Sequence, residues 1–261
     1  MSLPTRQLGN SDLALSVLGL GTVKIGRNQG VKYPSGFELP DDRQVDELID
    51  LARELGINTI DTAPAYGSSE TRLGQALAGQ RQDWHIVTKV GEEFENGQSH
   101  FDFSAQHCRY SLKRSLERLR TDYLDVVLIH SDGNDLAALD GGCLDVLLQA
   151  RREGWVRAIG LSGKTVDGAL TALDRGADAV MVSYQPHYRD EQGVIDQCEA
   201  LKRGALIKKA FASGHLDVND PDPIATHLKF CLAPPSVTSV IAGTINPEHL
   251  RHNVRCAAAA A

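Results

Sequence analysis

The sequence predicts an α/β fold: a (β/α)8 barrel formed as a single domain over residues 1–261, with a short N-terminal β-hairpin. Three observations point there. Eight short apolar runs alternate with eight longer amphipathic ones along the whole chain, the pattern of strand-then-helix units around a parallel sheet. The apolar runs are rich in Val and Ile and mostly lack two-residue alternation, as strands covered on both faces should. The length of 261 residues is close to the ~250 at which eight such units commonly close as one barrel.

The opening stretch RQLGNSDLALS (6–16) sets a Gly-Asn-Ser turn between short apolar pieces and reads as a hairpin able to plug one barrel end. The first strand is VLGLGT (17–22). Its Gly-x-Gly is part of a dinucleotide fingerprint, but no helix is expected to open there, so an open doubly wound sheet is the lesser choice. Helix 41–55 carries Val45, Leu48, Ile49, Ala52 and Leu55 on one face and stops at Gly56. Strand 58–63, helix 68–78 and strand 85–90 follow. Helix 104–120 opens on a Ser cap and presents Cys108, Leu112, Leu116 and Leu119. Strands 124–130, 156–162, 179–185, 205–211 and 236–243 complete the eight, with weaker helical patterns at 143–153, 165–175, 190–202, 222–232 and 246–256. The closing alanines, 257–261, read as a helix end.

Composition excludes several classes. Lys+Arg number 27 against 34 Asp+Glu, a net charge of −7, which argues against nucleic-acid or anionic-membrane partners. No apolar run approaches the ~20 residues of a membrane span, and no basic-then-apolar leader is read at the N-terminus. Cys108, Cys143, Cys198, Cys231 and Cys256 are dispersed. They read as free thiols of a cytoplasmic protein, with neither disulfides nor a metal site.

The polar residues are placed tellingly. Asp61 and Lys89 lie near the ends of strands two and three, His130 ends strand four, Ser162 strand five, Gln185 strand six and Gly243 strand eight. A closed barrel brings all of these to one rim, where barrel active sites are built. Singly, each has a plain alternative: Asp61 as a turn cap, Lys89 snorkelling outward, His130 a satisfied core histidine, Tyr66 a packing residue. Together they specify a chemistry. A tyrosine is a poor acid at neutral pH. An ammonium beside it is expected to lower its pKa, and a carboxylate keeps that ammonium charged. Lys89 and Asp61 would thus tune Tyr66 as a proton donor, with His130 hydrogen-bonding a substrate carbonyl oxygen.

These residues sit in segments that resemble the aldo-keto reductase family over nearly the whole chain: GINTIDTAPAYGSSETRLGQAL (56–77), IVTKVG (86–91), LDVVLIHSD (124–132), WVRAIGLSG (155–163) and VIAGTINPEHLRHNV (240–254). The resemblance implies the TIM-barrel fold and reversible reduction of an aldehyde or ketone by a nicotinamide cofactor. Asp61, Tyr66, Lys89 and His130 match the family's catalytic tetrad. Ser162 and Gln185 match its nicotinamide-carboxamide ligands, and Ser213 and Gly214 its diphosphate loop. Thr22 falls near the family's backbone contact with the cofactor. Gly243, Thr244, His249 and Asn253 fall in its phosphate and adenosine segment, where Asn246-Pro247 looks like a helix start whose free N–H groups receive a phosphate.

Four positions depart from the family. Gly243 and His249 stand where many members carry a lysine and an arginine for the adenosine 2′-phosphate. His252 replaces the usual adenine-facing residue. The resemblance implies NADPH, these changes weaken that preference and leave NADH as the alternative, and Arg251 compensates only if it turns to the ligand. Lys208 stands where many members stack an aromatic ring on the nicotinamide. Loops 24–40 and 91–103 are expected to wall the pocket, with Tyr33, Phe37, Phe94 and Phe101 as apolar contacts. A short C-terminus implies an open pocket and a broad range of small carbonyl substrates, and the resemblance implies a monomer.

Three rivals stay open. A Schiff-base lyase would use Lys89 as nucleophile. A metal-dependent hydrolase lacks an H-x-H pair. A cofactor-binding sensor or scaffold would share the fold with little turnover.

Overall fold

The structure is a computed structural model that describes residues 3–31, 33 and 36–261. In chain order it runs β1 (Thr5–Gln7), β2 (Ala14–Ser16), β3 (Leu18–Gly21), α1 (Val23–Gly26), α2 (Asp42–Glu54), β4 (Thr59–Asp61), α3 (Ser69–Ala76), β5 (His85–Val90), β6 (Glu92–Glu95), β7 (Gln98–Phe101), α4 (Ala105–Leu119), β8 (Leu124–His130), α5 (Asp135–Asp140), α6 (Cys143–Arg152), β9 (Val156–Ser162), α7 (Val166–Asp174), β10 (Ala179–Ser183), α8 (Gln192–Leu201), β11 (Gly204–Lys208), α9 (Pro223–Leu232), β12 (Val237–Ala242) and α10 (Pro247–Ala260). Strands β3, β4, β5, β8, β9, β10, β11 and β12 pair in that order, all parallel, and β12 closes on β3. This is the (β/α)8 barrel that the alternation of runs predicts. No helix among the described residues is long and apolar enough to cross a membrane.

Local chemistry starts the helices where the sequence allows. Asp41 and Gln44 form a capping box on α2, and Ser104, Thr165, Asp222 and Asn246 cap α4, α7, α9 and α10. The main core lies between strands and helices. A second core fills the barrel itself with Val87, Val126, Leu128, Ala158, Ala179, Met181 and Leu206, together with Leu8, Leu13 and Leu15 of the β1–β2 hairpin. That hairpin closes the end where the strands begin. Asn58 Nδ2 donates to Ala14 O at 2.9 Å, and Arg6 donates to Leu232, Pro234 and Val237 carbonyls.

Strand periodicity then sets the site. Side chains two apart share a face, so the interior residues Val87, Leu128 and Leu206 are followed on the inner face by Lys89, His130 and Lys208. The layer above the apolar plug is polar, and it opens to the C-terminal rim.

The expected boundaries need some correction. Strand six ends at Ser183 and strand seven at Lys208, so Gln185 lies beyond its strand. A helical turn, α1, does open after the first strand, where none was expected. With four residues it is too short to seat a fingerprint. Helix α5 and the β6–β7 hairpin were not read from the sequence. The hairpin turns on Asn96 (φ 51°) and Gly97 (φ 80°), the left-handed pair that a two-residue turn requires.

At the closed end, Asp125 is buried beneath Arg81 Nη2 (2.7 Å) and Arg157 Nη1 (2.9 Å) and accepts from Ile86 N (3.0 Å). Burial alone would raise its pKa, but these partners and His85 hold it below the usual carboxylate value. Its contribution to stability is therefore present above pH ~4 and lost as pH falls through the lowered value. Asp125→Ala is expected to cost about 3–5 kcal/mol in urea unfolding, because it leaves the mostly buried Arg81 guanidinium and the buried Ile86 N–H without their acceptor.

Candidate active site

The C-terminal rim opens into a cleft of about 790 Å³, within the size range of small-molecule sites. Asp61, Tyr66, Lys89, His130, Ser162, Ser213, Gly214, Gly243, Thr244, His249 and Asn253 all line it, as do Thr22 and Lys208. Gln185 does not appear among the lining residues, and its Oε1 is buried without a hydrogen-bond partner among the described residues.

Lys89, fully buried, is held by Asp61 Oδ1 at 2.6 Å and Thr62 O at 2.8 Å. Tyr66 comes from the turn Pro64–Tyr66 that leaves β4, and its hydroxyl donates to Asp61 Oδ2 at 3.5 Å. The Lys89 ammonium lies 4.7 Å from the Tyr66 ring centroid. Gly26 of α1 abuts this turn so closely that a Cβ there would fall 2.2 Å from Tyr66 O. The His130 ring stands edge-on to Tyr66, with centroids 6.3 Å apart. Four side chains from β4, its following turn, β5 and β8 thus meet around one phenol.

The electrostatics correct one expectation. The Tyr66 pKa is not lowered. Burial first, and the Asp61 carboxylate second, push it well above its ordinary value. The charge of Lys89 is balanced by Asp61 at contact distance, so little of it is left to favour a phenolate. Tyr66 therefore keeps its proton at neutral pH, which a donor needs. Burial lowers the His130 pKa, and the ammoniums of Lys89 and Lys208 act in the same sense against Glu92. His130 is thus neutral near pH 7. The buried ion pair also weighs against Lys89 as a free amine nucleophile.

Lys208 reaches across the cleft instead of lying open to solvent. Its Nζ donates to Gly163 O (2.6 Å) and Ser162 Oγ (3.0 Å), and burial, with Lys209 nearby, pushes its pKa down to about 7. At the start of α10, Asn246 Oδ1 already accepts from the N–H groups of Glu248 (2.8 Å) and His249 (3.2 Å), and Pro247 has none to give. The free first-turn donors expected for a phosphate are therefore occupied. Arg251 pairs with Glu248 at 3.7 Å on the exposed face and is absent from the lining. Asp222, His252 and Cys256 bring donor atoms within 4.8 Å of one another, closer than their spacing suggested. Asp222 Oδ1 already caps α9 and takes His252 Nε2 at 3.0 Å, which accounts for the cluster as a helix cap.

Of the loop aromatics, Tyr33 lines the cleft beneath Lys24, whose Nζ is 4.1 Å from the ring centroid. Phe37 packs on Tyr33, Phe94 lies under Arg27 and Phe101 against Phe103. Lys32, Pro34 and Ser35 of the same loop lie outside the described residues. Sequence reasoning missed Glu92. Its carboxylate oxygen Oε2 is 2.8 Å from His130 Nδ1. The signal was the Asn96-Gly97 turn, which makes 92–101 a hairpin that leaves β5 at the rim.

The family model described as Aldo/keto reductase family matches residues 17–220. A putative aldo-keto reductase from Pseudomonas aeruginosa is 50% identical over 99% of this chain and 97% of its own, with a TM-score of 0.90. The holo form of an aldo-keto reductase from Bacillus halodurans is 26% identical over 97% of this chain and 90% of its own, with a TM-score of 0.83. The L-galactose dehydrogenase of Arabidopsis thaliana is 32% identical over 228 residues, which are 83% of this chain and 68% of the relative.

Proposed function

This chain belongs to the aldo/keto reductase family, and from that premise we propose that it reduces aldehydes or ketones with NADPH or NADH, using Tyr66 as the proton donor. The observation that carries this reading is the protonated Tyr66 phenol hydrogen-bonded to a buried Asp61–Lys89 pair at the mouth of the cleft.

The residues present suit a dinucleotide. Gln185 Oε1 is a buried acceptor without a partner among the described residues, the kind of group a carboxamide N–H would satisfy, although Gln185 lies outside the cleft lining. Ser162 lines the cleft, and its Oγ accepts from Lys208 Nζ at 3.0 Å. Ser213 and Gly214 form a turn with both residues at positive φ, the kind of backbone concavity that receives phosphate oxygens. When bound, the reduced nicotinamide supplies hydride to the carbonyl carbon. The chain's own part is to hold the carbonyl oxygen between Tyr66 and His130 and to give it the Tyr66 proton as charge develops there. The substrate class is small carbonyl compounds, and no residue of the cleft singles one out.

With Arg251 turned away and Gly243 bare, little fixed positive charge is left for a 2′-phosphate. Fluorescence titration is expected to give NADPH and NADH affinities within about tenfold of each other, a difference of under ~1.4 kcal/mol. A preference of several hundredfold for either would show a charge contact absent from this account. Turnover is tested with a panel of small aldehydes and both cofactors.

A further inference from the structure

Glu92 has no part in the chemistry described so far, yet it is turned into the site. It begins β6, at the foot of the hairpin that leaves β5 at the rim, and its side chain is only 11% exposed. Ser99 Oγ donates to its Oε1 at 2.6 Å. Its Oε2 faces His130 Nδ1 at 2.8 Å, an ion-pair distance at an angle too poor for a well-formed hydrogen bond. Arg27 is 4.0 Å away, but its guanidinium is already spent on the carbonyls of Gln29, Gly30 and Ala65 and on the face of Phe94. Balancing Arg27 therefore does not explain where Glu92 points.

A carboxylate oxygen and an unprotonated ring nitrogen at this distance would set lone pair against lone pair. The proton therefore belongs between them. We propose that Glu92 is a positioning residue that fixes the proton of His130 on Nδ1, so that Nε2 turns a lone pair to the cleft and carries a proton there only in the imidazolium. A neutral imidazole has one N–H, and Glu92 claims it.

This reading rests on the proposed role of His130 toward the carbonyl oxygen. It alters that role in one respect. Donation from Nε2 requires His130 to take up a proton from solution first. The imidazolium is then stabilised by Glu92 and opposed by burial, Lys89 and Lys208, with Tyr66 facing the ring edge-on. Glu92 itself stays ionised: burial would raise its pKa, but His130, Ser99 and Arg27 bring it down to about 2. Reduction is accordingly expected to fall as pH rises through the His130 pKa.

Two measurements test this. Nitrogen-15 NMR of the histidine-labelled protein, without cofactor or substrate, is expected to show neutral His130 protonated on Nδ1. In Glu92→Gln, which keeps shape but loses charge, the proton is expected to appear on Nε2 as well. The kcat pH profile of Glu92→Gln is expected to move its midpoint lower by about 1–3 units, and Glu92→Asp is expected to fall between the two. Glu92→Gln is expected to bind NADPH within about twofold of wild type, so a merely structural role would leave the midpoint unmoved. Wild-type His130 protonated on Nε2, or a midpoint unchanged in Glu92→Gln, overturns the proposal. The NMR result needs no turnover, so it stands or falls apart from the carbonyl-reductase reading.

Discussion

Tyr66→Phe is expected to lower kcat for aldehyde reduction by about 10²–10⁴-fold, the range for loss of a positioned proton donor, while the dinucleotide Kd stays within about twofold. The substitution removes one oxygen. That oxygen makes one described hydrogen bond, to Asp61 Oδ2 at a long 3.5 Å, so little structural support goes with it. The ring, which stands edge-on to His130 and near the Lys89 ammonium, is kept. The effect should therefore fall on the chemical step. Steady-state kinetics beside fluorescence titration of the same protein separate the two. A variant with full kcat would remove Tyr66 from the donor role.

Lys89→Met is expected to damage both activity and stability. Lys89 is buried, with Asp61 and Thr62 as partners. Removing it leaves the Asp61 carboxylate buried without its cation, at a cost of about 3–5 kcal/mol. The unbalanced carboxylate, facing the Tyr66 hydroxyl, would push the phenol pKa further in the direction that burial has already taken it. The phenol then gives up its proton less readily, and kcat is expected to fall by about 10²-fold or more. Adding Asp61→Asn to Lys89→Met removes the stranded charge. The double variant is expected to recover much of the urea stability and none of the activity. Recovery of both would mean that the pair serves packing alone.

The site was legible in the sequence where strand geometry dictates it. Lys89 and His130 continue, two residues on, the inner face of strands whose earlier residues fill the barrel. Asp61 ends β4, and Tyr66 follows on the turn that leaves it. What the sequence left hidden depends on three-dimensional surroundings. The Tyr66 pKa follows burial and the net charge of a neighbouring pair, neither of which spacing reveals. Gln185 fell outside its strand because an apolar run does not mark where pairing stops. The capacity of the α10 start for a phosphate was misjudged because Asn246, read as a cap, uses up the donors that the cap position suggested were free. Glu92 was hidden for a simpler reason. The Asn96-Gly97 turn was present in the sequence, but the segment was read as an undifferentiated loop, so nothing directed its first residue toward His130.

The proposed activity requires a protonated Tyr66 at the mouth of the cleft to complete hydride reduction of a carbonyl. Its most direct test is a single-turnover reaction with the protein in excess over NADPH and a reactive aromatic aldehyde, followed by the absorbance of the reduced nicotinamide. Complete loss of that absorbance with one alcohol formed per NADPH is expected in the wild type, and persistence of the signal in Tyr66→Phe although the cofactor is bound. Bound NADPH that outlasts every aldehyde offered to the wild type would contradict it and leave a cofactor-binding protein in its place.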